Sequence, residues 1–338
     1  MIKNYLRKFF AASFYPTNSE DWYKSKGYDG QDQLEQFSQF LSSQDQEESI
    51  FYDEFKSLDL KRQFIQAGEY KIDSVLLTPK KKLSLERNSE DLYFVFFQGR
   101  SEFYESRFRD MAIQARETGA SVLGFNPKGF KSSTGTTERI SDIVDDGIAV
   151  VKYLLDQMHL LPRQIVLQGN SLGAAVQEMV TEHFRELYGF RFRQINSNSF
   201  KTLAAVVVYH YRLPFLEKII RLVLNYAEWE ITPGKDFYKI GPYRCHLRRL
   251  NDRTIAIGAE YHINVDIESD CTQCPIGYRN TNRWLYENCQ LVYNGNSETD
   301  PHFLSLHYFD LPGAEGKNKH SVYKLINRYI EESGKYIE

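Results

Sequence analysis

A chain of 338 residues, 42% hydrophobic and 14% aromatic, has the means to bury one large core or two small ones, which excludes disorder as the state of the whole. Its charges nearly cancel to a formal −3, leaving no basic excess to neutralise a polynucleotide backbone, so no nucleic-acid partner is expected. Nowhere does an apolar run approach the roughly 18 residues of a membrane span, so any membrane contact is expected to be peripheral, and no secretory apolar core follows Met1 to Phe10; a cytoplasmic location, or export by a route independent of a signal peptide, is the expectation.

In chain order, the opening residues read as a short amphipathic helix. Residues 1–60, polar and with Leu34, Phe37 and Leu41 at helical spacing, read as a helical extension of a main domain over 61–338. Arg62 to Pro79 alternates about Gly68, which predicts a β-hairpin. After a polar linker, apolar runs separated by helices announce a mostly parallel sheet covered on both faces, an α/β fold. Leu92 to Phe97 and Ala120 to Phe125 are the first two such strands; between them Phe108, Met111, Ala112 and Ala115 share a helical face that Gly119 closes. A stripe from Ile140 to Met158 predicts a long helix, Gln164 to Leu167 the next strand, and Gln194 to Asn198 another. Leu203 to Ile231 is apolar but interrupted by Pro214, so it predicts shorter helices over the site, a cap or insertion at 203–240. A second insertion is expected at 267–300, then a strand Phe303 to Phe309 and a last helix carrying Val322, Leu325, Ile326 and Tyr329.

The strand ending at Leu167 delivers the chain to Gly169-Asn-Ser-Leu-Gly173, and small residues beginning with Ala174 open the next helix. A Gly-x-Ser-x-Gly in a strand–turn–helix setting is a nucleophile elbow: the turn strains its serine and brings backbones so close that Gly169 and Gly173 must lack a Cβ. Ser171 is the candidate nucleophile.

Two further segments carry a resemblance. Phe97-Gln-Gly-Arg-Ser-Glu-Phe-Tyr resembles the His-Gly-x-x-Glu segment of monoglyceride lipases and lysophospholipases, with Gln98 in place of His. Phe125-Asn-Pro-Lys-Gly-Phe-Lys-Ser-Ser-Thr-Gly135 is similar to the Asp-x-Arg-Gly-x-Gly-x-Ser-x-Gly loop of the same superfamily and its depalmitoylase-like branch, with Lys128 for Arg and Phe130 for the second Gly. With the elbow, the three stand in the order and spacing of the α/β-hydrolases. The resemblance implies an α/β-hydrolase fold, a serine hydrolase acting on an acyl ester, thioester or lipid-like substrate without metal or cofactor, and an oxyanion hole from the backbone N–H groups of Arg100 and Leu172. It implies a triad in the order Ser, acid, His. Of His302, His307 and His320, His320 follows a loop and opens the last helix, as the family's base does. For the acid, Leu250-Asn-Asp252-Arg-Thr-Ile resembles the family's Asp-x-x-Ile loop; a rival register makes Thr254 to Ile257 the strand and leaves Glu260 as the nearby carboxylate. The departures at Gln98 and at the acid keep a second reading open, a hydrolase-shaped binding or effector protein without turnover.

All four cysteines lie between Cys245 and Cys289. Cys271 and Cys274 have a two-residue gap, but no second pair completes a zinc ribbon, so reduced thiols and no metal are expected.

Overall fold

The computed structural model describes residues 2–14, 56–80, 91–232, 244–249, 254–255, 290–293, 309–310 and 321–334. An amphipathic helix, α1 (Ile2–Phe14), precedes the hairpin of β1 (Leu58–Ala67) and β2 (Tyr70–Pro79). Gly68, at φ 61°, takes the first position of the two-residue turn, where positive φ suits the strand twist. There follow β3 (Tyr93–Phe97), α2 (Phe108–Thr118), β4 (Ser121–Phe125), α3 (Ile140–Lys152), β5 (Ile165–Asn170), α4 (Leu172–Tyr188) and β6 (Arg193–Ser197). Two short helices, α5 (Leu203–His210) and α6 (Glu217–Tyr226), occupy the Pro214-broken segment. The last elements are β7 (Arg244–Arg249), β8 (Gln290–Tyr293), β9 (Phe309–Asp310) and α7 (Ser321–Gly334).

The strands form one sheet in the order β1-β2-β4-β3-β5-β6-β7-β8-β9. β4, β3, β5, β6, β7 and β8 run parallel, while the hairpin at one edge and β9 at the other are antiparallel. A parallel sheet needs cover on both faces, and the two-residue period of β3 sorts its side chains accordingly. Phe94 and Phe96 join Met111 of α2 and Ile326 of α7 on one face. Val95 and Phe97 join Val151 of α3, Val176 of α4 and Ala204 of α5 on the other. This is the α/β-hydrolase fold.

Several boundaries differ from those read in the sequence. β1 begins at Leu58, before Arg62, because Lys61 and Arg62 lie on an edge strand where charge is tolerated. The Ile140 to Met158 stripe is α3 followed by a π-helical turn over Tyr153–Gln157. β8 falls within 267–300, so residues 290–293 belong to the sheet rather than to an insertion. Thr254 and Ile255 form a bend, while Ala256 and Ile257, the rest of the strand in the rival register, lie outside the described residues. Leu34, Phe37 and Leu41, and most of the strand expected at Phe303 to Phe309, lie outside the described residues.

Candidate active site

Parallel strands present their carboxyl ends at one edge of the sheet, and it is there that β5 turns sharply into α4. Ser171 occupies the turn at φ 54°, ψ −119°, a backbone state that a side chain normally forbids. The two glycines explain why the turn closes. A Cβ on Gly169 would sit 2.5 Å from Ala174 Cα, and one on Gly173 would sit 2.2 Å from Phe97 O and 2.3 Å from Gln98 O. Ser171 N–H donates to Ser197 O at the end of β6 (2.8 Å), which fixes the turn from the neighbouring strand. Leu172 opens α4 as its first residue, ahead of the helical hydrogen bonds, which begin with Ala174 N–H and Ala175 N–H donating to Ser171 O at 3.1 and 3.3 Å.

Gly173 packs against the end of β3, so the elbow and the next loop are one unit. In that loop Gly99 O accepts from Glu102 N–H (3.3 Å) while Gly99 N–H donates to Glu102 Oε2 (2.8 Å), closing a turn with Ser101 at φ 58°. Arg100 is its second residue, with an exposed side chain. The Glu102 carboxylate is held in turn by Arg107, which also pairs with Asp110 at 3.2 Å. Gln98 is buried, and its Nε2 has no hydrogen-bond partner among the described residues. Beside it, Phe97, Glu102, Phe125, Ile143, Gly173 and Val176 line a pocket with room for about one water molecule.

The third loop follows β4. Asn126 accepts from Tyr104 N–H at 3.1 Å and donates to Glu105 Oε2 at 2.9 Å, tying this loop to the first. Lys128, which stands where the hydrolase loop it resembles has Arg, pairs with Asp142 at 3.3 Å and lies 4.8 Å from the centre of the Tyr70 ring. Its backbone N–H and the Tyr70 hydroxyl each donate to buried Asp146 at 2.7 Å. Burial pushes the Asp146 carboxyl up to about 6 in spite of these donors. Phe130, where the hydrolase loop it resembles has Gly, is fully buried in the core.

Around Ser171, Asn170 Oδ1, Ser197 Oγ and Ser199 Oγ are buried and without partners among the described residues. Such orphaned polar atoms are rare in packed interiors and concentrate where something polar is to be bound. The sequence reading missed these polar atoms and the Ser197 strut, which carry no motif of their own; Gly99 and Glu102, which form the clasp, are the Gly and Glu of the His-Gly-x-x-Glu segment, whose spacing does not disclose the bonds between them. The structure brings together Ser171, Leu172, Gly169 and Gly173 with the turn that contains Arg100. Asp252, Glu260, His302, His307 and His320 lie outside the described residues, as do Cys271 and Cys274.

Comparison with known proteins gives a family. The model of the family described as Chlamydia CHLPS protein (DUF818) matches residues 33–239, more than half of the chain. The chain belongs to this family. Among solved structures, an α/β-hydrolase from Vibrio vulnificus is similar at 11% identity and a TM-score of 0.42, covering 56% of this chain and 63% of that one. The match thus spans a little under two thirds of the Vibrio protein. An esterase from Pyrobaculum calidifontis is similar at 14% identity and a TM-score of 0.41, over 70% of this chain and 81% of that one. For an esterase from Pyrococcus furiosus the figures are 15%, 0.41, 60% and 74%.

Proposed function

We propose that this protein is a serine hydrolase that cleaves a carboxylic ester or thioester through an acyl-enzyme on Ser171. The observation that carries the reading is the strained Ser171 at the carboxyl end of β5, held by two glycines against the end of β3. In the proposed reaction Ser171 Oγ attacks the acyl carbon as His320 takes its proton, and the N–H groups of Arg100 and Leu172 receive the oxyanion. The intermediate collapses when His320 protonates the departing alcohol or thiol, and water then releases the acid by the reverse sequence. Asp252 keeps the imidazole in the required tautomer.

Topology supports these assignments. β7 runs parallel to β6 and ends at Arg249, so the loop carrying Asp252 leaves the sheet at the edge of Ser171. For the base, the direction of α7 matters. Ser333, near its end, accepts a 3.0 Å bond from Arg193 at the start of β6, and Asn327 reaches Glu117 O at the end of α2. Ser321, its first residue, is twelve residues before Ser333, about 18 Å along the helix from that anchor. α7 therefore starts toward the catalytic edge, and His320 is the residue before it. β9 is antiparallel to β8, so Tyr293 and Phe309, the described residues nearest in sequence to His302 and His307, also lie at that edge. The experiment is fluorophosphonate labelling: the parent is expected to take one probe on Ser171, with Ser171→Ala and His320→Ala unlabelled and His302→Ala labelled like the parent. A parent protein that is folded yet inert to the probe overturns the proposal and leaves the binding-protein reading.

A further inference from the structure

Among the described residues, most of the large apolar side chains left exposed fall in two segments, α1 and the stretch from Tyr211 to Tyr226. The outward face of α1 presents Ile2 (71% exposed), Tyr5 (71%) and Phe9 (52%), spaced by three and four residues along one stripe. The same spacing recurs on α6 with Ile219 (57%), Leu222 (70%) and Tyr226 (53%), and Phe215 before it is 76% exposed. α6 is apolar over far more of its circumference than packing consumes: Leu224 alone is fully buried, while Lys218, Arg221 and Asn225 mark a narrow polar face.

The two stripes are adjacent. Lys3 and Arg7 of α1 both pair with Glu228, just beyond α6, and the Lys3 ammonium lies 5.8 Å from the centre of the Tyr226 ring. α5 and α6 leave the sheet after β6, at the edge that carries Ser171, so the shared surface is on the catalytic side. Charge identifies what it suits. Residues 2–14 and 203–229 hold six basic and two acidic side chains, a surplus of four in a chain whose total is −3. Lys8, Arg212 and Lys218 are exposed beside the apolar stripes.

We propose that the outward faces of α1 and α6 form a docking surface for an anionic phospholipid bilayer, the aliphatic and aromatic side chains entering the headgroup boundary and the flanking cations meeting lipid phosphates. Exposed aliphatics and tyrosines with a cationic rim are the pattern of helices that lie in a membrane interface, where apolar burial and attraction to anionic lipid add. The inference goes beyond the hydrolase reading and does not depend on it.

The test is flotation of the full chain with vesicles of phosphatidylcholine containing phosphatidylglycerol, and with vesicles of phosphatidylcholine alone. Binding is expected to be at least about tenfold tighter to the anionic vesicles and to weaken with salt as the charges are screened. Phe215→Asp with Leu222→Asp is expected to abolish binding, and Lys8→Glu with Lys218→Glu to remove the preference for anionic lipid; all four sites are exposed, and melting curves confirm folding. Ser171→Ala is expected to bind as the parent does, which separates this inference from the chemistry at Ser171. Equal binding to both vesicles, unaltered binding by the variants, or self-association of the parent relieved by Phe215→Asp without any vesicle binding each overturns the proposal.

Discussion

Replacing Ser171 by glycine is expected to leave a more stable protein than replacing it by alanine. At φ 54°, ψ −119° a residue with a Cβ bears strain of about 1–3 kcal/mol. Alanine keeps that Cβ and glycine does not. Both variants delete the hydroxyl, and Ser171 makes no side-chain cap to α4, so those losses cancel in the comparison. Opposing the relief is glycine's greater loss of chain entropy on folding, about 0.5–1 kcal/mol relative to alanine. The balance favours glycine by about 1 kcal/mol, or about 2–4 °C in melting temperature for a large domain. Thermal melts of the two variants, both unreactive to a fluorophosphonate, read it directly. A glycine variant that melts at or below the alanine variant shows that the turn stores no strain, and the elbow argument fails with it.

Gly173→Ala places a Cβ about 2.2 Å from Phe97 O, so α4 must withdraw from the end of β3; a shift of about 1 Å at an oxyanion hole costs roughly a hundredfold in kcat, and parental turnover of a p-nitrophenyl ester would refute the packing. Asp146, raised to about 6 by burial, binds its proton more tightly folded than unfolded. Stability should therefore fall as pH rises from about 4 to 6, by at most about 1.4 kcal/mol per unit from this group, and urea titrations should show that fall flattened in Asp146→Asn. Glu102→Gln retains an acceptor for Gly99 N–H but loses the charge that anchors Arg107, so kcat is expected to fall about tenfold with KM little changed. Asp252→Asn should fold normally, as circular dichroism would report, and lose about 10⁴ in turnover, with Glu260→Gln nearly silent; the opposite pattern moves the acid to Glu260.

The parts of the fold legible in the sequence are those whose signal is local and repeated. β3, β4 and β5 are short buried runs, α2 and α3 show their apolar faces at helical spacing, and the elbow needs two glycines that no other residue can replace. The later strands were not legible. β7 reads Arg-Cys-His-Leu-Arg-Arg, and from Arg244 to Leu247 the buried residues are Cys245 and Leu247, two inward positions in a stretch otherwise polar. β8 has four residues and β9 two, too few for any period to register. Missing β7 is what left the acid open between two registers, because the loop carrying it is defined only by the strand before it. Nor could Arg62, Asp73 and Tyr104 be linked from spacing, since they meet only once β2 lies beside β4.

That last network bears on the most evident departure from the family pattern, Gln98. If the residue before Gly99 were what held the oxyanion loop, replacing histidine would weigh against turnover. The loop is instead fastened elsewhere. Glu102 closes it on Gly99 and is itself held by Arg107. Tyr104 anchors the following turn, its N–H on Asn126 and its hydroxyl 3.0 Å from the buried Asp73 carboxylate, which Arg62 engages through two bonds of 2.9 and 2.8 Å. Asp73 N–H in turn donates to Ser133 Oγ, which donates to Asn126 O, so the hairpin and the loops after β3 and β4 share one hydrogen-bonded frame, and the elbow packs at Gly173 against the end of β3 beside it. A frame with buried charge at its centre tolerates little displacement, because each member left unpaired would cost far more than the pair contributes. The Gln98 side chain takes no part in these bonds, so its departure from histidine does not by itself weigh against the proposed turnover.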